Sequence, residues 1–376
     1  MNLENLIKRQ NNNIKSSIET LSNLPYRNEP YSAKNWGHVR HTICSYPSKM
    51  KPSIAYYLVS LFSNPGDTVL DPFSGVGTIP FEASLNGRVG IGLDLSPLAF
   101  NVTNSKLHKM NERKIFEIIS SLKSKIRTTN DVELLECEAK EYYHEDTYKE
   151  ILIAKEFFSS LSESPEKSFV LSCLLHILHG NRPYALSRRS HNIIPIPPKG
   201  EFIYKSLIIS LSDKVNAMLK VPLPFEFREG YAFLGDATKI PLENESISSI
   251  ITSPPFLGTT DFLRQNRIRL WFLGWDKEVL SAKKKHSNFL EYNKLSLYPS
   301  IFSEFYRLLQ TDGIVVMHLG IYKKFDMASS LKPILEEKGF EYMGLVNEDS
   351  GHLKTYGRTD RGGTHTHQFL VMRKMK

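Results

Sequence analysis

The sequence predicts an α/β fold, a mostly parallel sheet interrupted by a helical insertion, and three observations carry that reading. Residues 68–94 run strand, glycine turn, helix and strand, which is one βαβ unit. A long stretch of helical period follows, and strand signals return only beyond residue 230. With 376 residues, 41% of them hydrophobic, the chain has enough apolar material for one large core with an insertion or for two domains.

Taken in order, residues 1–35 are polar and asparagine-rich and read as a helix or a loose arm. Pro52 opens the apolar run KPSIAYYLVSLFS, a short helix with proline in its first turn. Pro65-Gly66-Asp67 turns the chain and Thr68 to Leu70 begins a strand. After Gly75 and Gly77 comes the helix IPFEASLNG, closed by Gly87, and RVGIGLDL is a second strand ending at Asp94. NERKIFEIISSLKSKI, EYYHEDTYKEILIAKEFFSSL and SFVLSCLLHILHG then read as helices, and the arginine- and proline-rich NRPYALSRRSHNIIPIPPKGEF as an irregular loop. Sheet signals return at YAFLGD, ESISSIITSPP, GIVVMHLG, FEYMGLVNE and HQFLVMRK. Residues 1–110 and 225–376 are thus expected to form one α/β domain, with 111–224 a helical insertion.

Charge and cysteine usage narrow the class. A formal net charge of +8 favours a polyanionic partner. Cys44, Cys137 and Cys173 stand far apart with no CxxC spacing, which argues against a disulfide framework or a cysteine zinc site and suits a reducing cytoplasm. The N-terminal residues lack a signal-peptide core, and the most apolar stretch, Ile54 to Phe62, is too short for a bilayer, so a soluble cytoplasmic protein with no membrane partner is expected. His176, His179, His365 and His367 are read as no metal site, because THTH falls on a terminal strand signal with no carboxylate in view.

Two segments carry chemistry. In VLDPFSGVGTIPFEASLNGRVGIGLDLS, Gly75 and Gly77 let the backbone turn after a strand and approach a ligand closely. Asp94 closes the next strand, where a carboxylate can hold ribose hydroxyls. The pattern is not GxGxxG, since residue 80 is proline, and two glycines alone suit a structural turn equally well. Thr252-Ser253-Pro254-Pro255-Phe256 directly follows a strand, which sets it at the carboxyl edge of the sheet. Two prolines fix the backbone so that a carbonyl points in a set direction, and the aromatic offers a face to a flat base.

Together DPFSGVGT, GDA and TSPPF resemble, in content and order, the S-adenosylmethionine-dependent amino-methyltransferases that act on DNA. The resemblance covers roughly residues 45–107 and 230–320 and implies a Rossmann-like, seven-stranded methyltransferase sheet, with HQFLVMRK inserted antiparallel near its end. It implies S-adenosyl-L-methionine as cofactor, held by Asp71, Phe73, Ser74, Gly75, Gly77, Thr78, Asp94, Leu95, Asp236 and Ala237. KPSIAYYLV resembles the family's helix that closes over the methionine moiety. It further implies that Ser253, Pro254, Pro255 and Phe256 are catalytic, the serine and the first proline carbonyl accepting from the target amine and the phenylalanine stacking on a flipped base.

DNA is the partner that follows, with a cognate restriction endonuclease left open. Arg182, Arg188 and Arg189 in one basic stretch, and Arg264, Arg267, Lys283, Lys284 and Lys285 in a second, are the candidate phosphate contacts. Solvated faces account for such charge runs as well. Trp271 and Trp275 are read as core. Ser before Pro-Pro resembles the cytosine-N4 enzymes rather than the adenine-N6 ones. The rival readings are an adenine-N6 enzyme, an RNA guanine-N2 methyltransferase, whose motif usually begins with Asp, and a non-catalytic nucleic-acid-binding module.

Overall fold

A computed structural model describes residues 14–23, 29–31, 33, 36–129, 131–134, 137–179, 185–187, 195, 201–256, 261–292, 295–323, 325–349 and 364–375. The strands are β1 Thr68–Asp71, β2 Val89–Asp94, β3 Tyr231–Leu234, β4 Ile247–Thr252, β5 Leu309–Tyr322, β6 Phe325–Asp326, β7 Phe340–Asp349 and β8 Thr364–Lys374. They form one sheet in the order β3-β2-β1-β4-β5-β8-β7, with the two-residue β6 paired to β5 off that path. β1 pairs parallel with β2 and β4, β2 with β3, and β4 with β5; β8 runs antiparallel to both β5 and β7. The expected α/β class, the mostly parallel sheet and the inserted antiparallel strand are all present.

Both faces of this sheet are covered, which is why its inner strands read as near-continuous apolar runs. Leu70, Ile250 and Val315 join the core that holds the helices Tyr298–Leu308 and Met327–Glu337. Their neighbours Val69, Ile251 and Val316 point to the opposite core, against Ile14–Ser22, Pro52–Phe62 and Thr78–Leu85. Successive strand side chains alternate faces, so one run of sequence feeds two layers.

The stretch between β2 and β3 is helical: Pro97–Asn104, Glu112–Thr128, Glu145–Ser160, Pro165–Ile177 and Leu207–Leu219. Asn111, Ser164 and Ser206 cap three of these helices, each accepting from a backbone N–H three residues on. Their apolar faces build a separate core with Leu263, Ile268, Leu270 and Phe272, so the segment after β4 packs on the helical layer. Trp271 and Trp275 pack half-buried against this layer, Trp271 stacking on Tyr148 at 6.2 Å. No helix among the described residues is long and apolar enough to cross a membrane.

Strand order reverses beside β1, with β2 and β3 on one side and β4 and β5 on the other. In an open parallel sheet the carboxyl ends of two strands that diverge in this way leave a crevice between their connections. Asp71 ends β1 and Thr252 ends β4, so both sequence motifs emerge at that crevice.

Candidate active site

The glycine loop after β1 is held in place by backbone necessity. Gly75 and Gly77 both have left-handed φ, at 50° and 66°. A Cβ on Gly77 would come within 2.7 Å of the Thr103 hydroxyl, so the loop lies directly on the helix Pro97–Asn104. Thr103 Oγ1 in turn donates to the Gly75 carbonyl at 3.2 Å. Ser74 is buried beside Thr103, and Thr78 is buried at the start of the next helix.

Asp94 meets this loop from β2. Its Oδ2 accepts from the Gly75 N–H and its Oδ1 from the Ser96 N–H, both at 2.9 Å. A carboxylate has about four acceptor positions, so two remain for a ligand. Burial pushes this carboxyl up to about 6 against the opposing pull of those N–H donors. Asp236 carries more partners: Thr238 donates to Oδ1 through its N–H and its hydroxyl, and Asn288 donates to Oδ2, each at 2.8 Å. One acceptor position is left to it.

A single cavity of about 890 Å³ joins these groups to the second motif. Asp94 and Gly75 line one part and Ser253, Pro254, Pro255 and Phe256 another; Phe73, Leu95 and Ala237 also line it. The volume lies within the ordinary range of ligand pockets, roughly 300–1,000 Å³. Tyr46 and Phe262, which also line it, stack at 5.5 Å. Glu291 also lines it, with Oε1 buried and without a hydrogen-bond partner among the described residues, and burial raises this carboxyl to about 7.

At the far end a polar row crosses four strands. Ser253 Oγ lies 3.3 Å from His318 Nδ1, and His318 Nε2 lies 3.1 Å from His367 Nδ1. Glu348 of β7 is the register partner of His367 on β8. Gly320 is directly opposite His367 on β5, and a Cβ there would come within 2.6 Å of the Phe256 ring. Phe256 therefore occupies the slot that the missing side chain leaves. This corrects the expectation that no carboxylate stands near His367: Glu348 lies across one strand pair and lines the same cavity, where burial raises it to about 7. His176 and His179 sit apart in the helical layer, where His176 accepts from the Ser45 N–H at 3.1 Å. The side chain of His365 is outside the described residues.

The cationic candidates divide. Arg182, Arg188 and Arg189 lie outside the described residues. Arg267 does not stand on an open face: its guanidinium donates to Glu138 at 2.6 Å and to the Tyr142 hydroxyl at 2.8 Å. Arg269, counted in the same basic stretch, is buried and donates to the Leu175 carbonyl and to Ser45. Arg264, Lys284 and Lys285 are exposed, though Lys284 pairs with Asp261 at 3.1 Å, and Lys283 lies over the Trp275 ring at 5.2 Å. These lysines end the surface helix Lys277–His286, which buries none of its residues and whose continuation Asn288–Glu291 lines the cavity.

A family model described as DNA methylase matches residues 5–105. Over that stretch the chain is similar to the DNA methylases. The match spans DPFSGVGT and Asp94 and ends before TSPPF. Among curated proteins, the type II methyltransferase M.MjaII of Methanocaldococcus jannaschii is 31% identical over 87 residues, 23% of this chain. The chain covers only 16% of the length of that relative. Solved structures align more widely and more loosely. A geranyl diphosphate methyltransferase bound to geranyl diphosphate and sinefungin is 9% identical over 86% of this chain and 79% of its own, with a TM-score of 0.37. A candidate DNA modification methylase of Thermus thermophilus is 18% identical over 38% of this chain and 52% of its own, with a TM-score of 0.24.

S-adenosylmethionine is the cofactor that the sequence motifs imply, and the cavity suits it. The glycine loop leaves no room for a side chain on Gly77, Asp94 and Asp236 keep acceptor positions for hydroxyl and amine donors, and Glu291 offers a buried, unsatisfied oxygen. Sequence reading missed Tyr46, Glu291, His318, Glu348 and Gly320 as parts of this site. No local pattern marks them, because pairing between distant strands or helices brings them there.

Proposed function

We propose that this protein transfers a methyl group from S-adenosylmethionine to an exocyclic amino group of a DNA base, with cytosine N4 as the acceptor. The observation that carries the reading is the single cavity at the point where strand order reverses, with Asp94 and the glycine loop at one part and Ser253–Phe256 at another.

Bound there, the cofactor supplies a methyl group on a positively charged sulfur. The chain does the rest by holding and orienting. Asp94 accepts from ribose hydroxyls with its free lone pairs, and Asp236 accepts from the adenine amine with its remaining one. Ser253 Oγ and the Pro254 carbonyl accept the two N–H bonds of the target amine, which turns its lone pair out of the ring plane and toward the methyl. Phe256 gives the base an aromatic face. The amine lone pair would form the N–CH3 bond while the S–CH3 pair stays on the cofactor's sulfur, and the cationic amine would then lose one proton to water. Positioning and fixed dipoles supply the rate enhancement. A covalent route through cysteine finds no support: Cys44 and Cys173 are buried, and none of the three cysteines follows a proline.

Transfer of radiolabelled methyl to duplex DNA and to tRNA, followed by mass spectrometry of the released nucleosides, tests the reading. N4-methyldeoxycytidine is the expected product. N6-methyldeoxyadenosine would overturn the base and keep the mechanism; label in tRNA alone would overturn the substrate. Ser253→Ala and Phe256→Ala should each lower turnover on the order of tenfold or more.

A further inference from the structure

Register places four polar side chains in one line across the sheet. Thr252 of β4 pairs with Met317 of β5, so the next residues, Ser253 and His318, come together beyond the strand end. His318 pairs with Phe369 of β8, which makes His367, two residues away on the same face, its diagonal neighbour. The two imidazoles lie nearly coplanar, 5.0 Å between centroids with 19° between planes, and His318 stacks on Phe369 at 4.9 Å. Glu348 faces His367 from β7. His318 is therefore held edge-on by His367 and packed on one face by Phe369, and its other nitrogen lies within reach of Ser253.

A serine hydroxyl can donate or accept, whereas an acceptor is what the substrate amine requires. Resting on the methyl-transfer reading above, we propose that His318, fixed by His367, is a positioning residue that takes the Ser253 hydroxyl proton in a hydrogen bond and so leaves both serine lone pairs for the amine. In this arrangement the His318 Nε2–H donates to His367 Nδ1, and Nδ1 of His318, left bare, accepts from Ser253. Each ring nitrogen fixes the role of the other. Burial beside His367 lowers the His318 pKa to about 3, so the ring stays neutral in the working range and serves as an acceptor rather than as a store for the departing proton. The arrangement gives a neutral serine the one-sided acceptor character that a carboxylate has by itself.

The full chain and its His318→Leu, His318→Asn, Ser253→Ala and Ser253→Ala/His318→Leu variants provide the test. Steady-state methyl transfer is measured, with thermal melting and titration of S-adenosylhomocysteine as checks on fold and cofactor binding. His318→Leu should lower kcat on the order of tenfold while KM for DNA and cofactor affinity hold. His318→Asn, whose amide oxygen can accept at the Nδ1 position, should recover most of that activity. The double variant should be no slower than Ser253→Ala, because the histidine acts through the serine. A His318→Leu variant that turns over like its parent, or a double variant slowed by the product of the two single effects, overturns the proposal. Nitrogen-15 spectra of the histidines read the same point without activity: a bare Nδ1 and protonated Nε2 on His318 are expected, and the reverse tautomer sinks the assignment. A parent protein that transfers no methyl to DNA strikes the functional reading itself.

Discussion

Thr252 Oγ1 donates a 2.6 Å hydrogen bond to Asp71 Oδ1, joining residues 181 positions apart at the carboxyl ends of β1 and β4. The Phe73 N–H donates to the same oxygen at 3.1 Å. Asp71 is almost wholly buried, and burial raises its carboxyl to about 7 even though both donors pull it down. This aspartate braces the two motif loops against each other, and so fixes the distance between the cofactor end and the chemical end of the cavity.

Thr252→Val keeps the shape of the side chain and removes that donor. The expected destabilisation is about 1–3 kcal/mol, the usual result of leaving a buried polar group underpaired. Because the folded pKa of Asp71 lies above its unfolded value of 3.8, its protonated form favours the fold at low pH. Its contribution falls away as pH climbs toward about 7, where the folded group ionises. The variant should therefore be weakened more at pH 8, where the missing donor faced a charge, than at pH 5. Urea unfolding at the two pH values reads this; equal effects would show that the bond carries no charge-dependent part.

Cofactor affinity should rise with pH through about 6, where Asp94 ionises. The carboxylate is the stronger acceptor for ribose hydroxyls, so binding favours the deprotonated form and releases a proton. Calorimetry with S-adenosylhomocysteine in buffers of different ionisation heat measures both. In Asp94→Asn this part of the pH dependence should vanish, and affinity at pH 8 should fall roughly tenfold, about 1.4 kcal/mol.

Gly320→Ala tests the slot behind Phe256. The added methyl would sit 2.6 Å from the ring, closer than packed carbon atoms allow, so the ring must move. Turnover should drop on the order of tenfold with S-adenosylhomocysteine affinity unchanged. An unaltered kcat would remove Phe256 from the chemistry.

Lys283→Ala with Lys285→Ala should flatten the salt dependence of DNA binding, by up to about 0.9 in the log–log slope for each phosphate that is no longer neutralised. These side chains sit at the end of a helix that leads straight into the cavity wall. The same measurement on Arg188→Ala with Arg189→Ala tests the first of the two basic stretches of the sequence. A slope that does not change in either pair marks that pair as a solvated face.

The sequence by itself determined the βαβ start, the glycine loop, the placing of Asp94 at a strand end and the TSPPF turn, while the antiparallel setting of the last strand followed only from the family resemblance. The first four are local matters: a left-handed turn needs glycine, a strand buried on both faces needs continuous apolar residues, and a proline pair needs no distant partner to be rigid. Charge was less legible, since Arg267 and Arg269 belong to a basic run and yet are spent on Glu138, Tyr142, Leu175 and Ser45 inside the fold. Only the tertiary structure decided the far side of the site. His318 and His367 are 49 residues apart and Glu348 lies on a third strand, so their meeting depends on the register of β5, β8 and β7. A shift of one residue in that register would turn every one of these side chains to the opposite face, and nothing in the local pattern of a strand states which partner residue it will face.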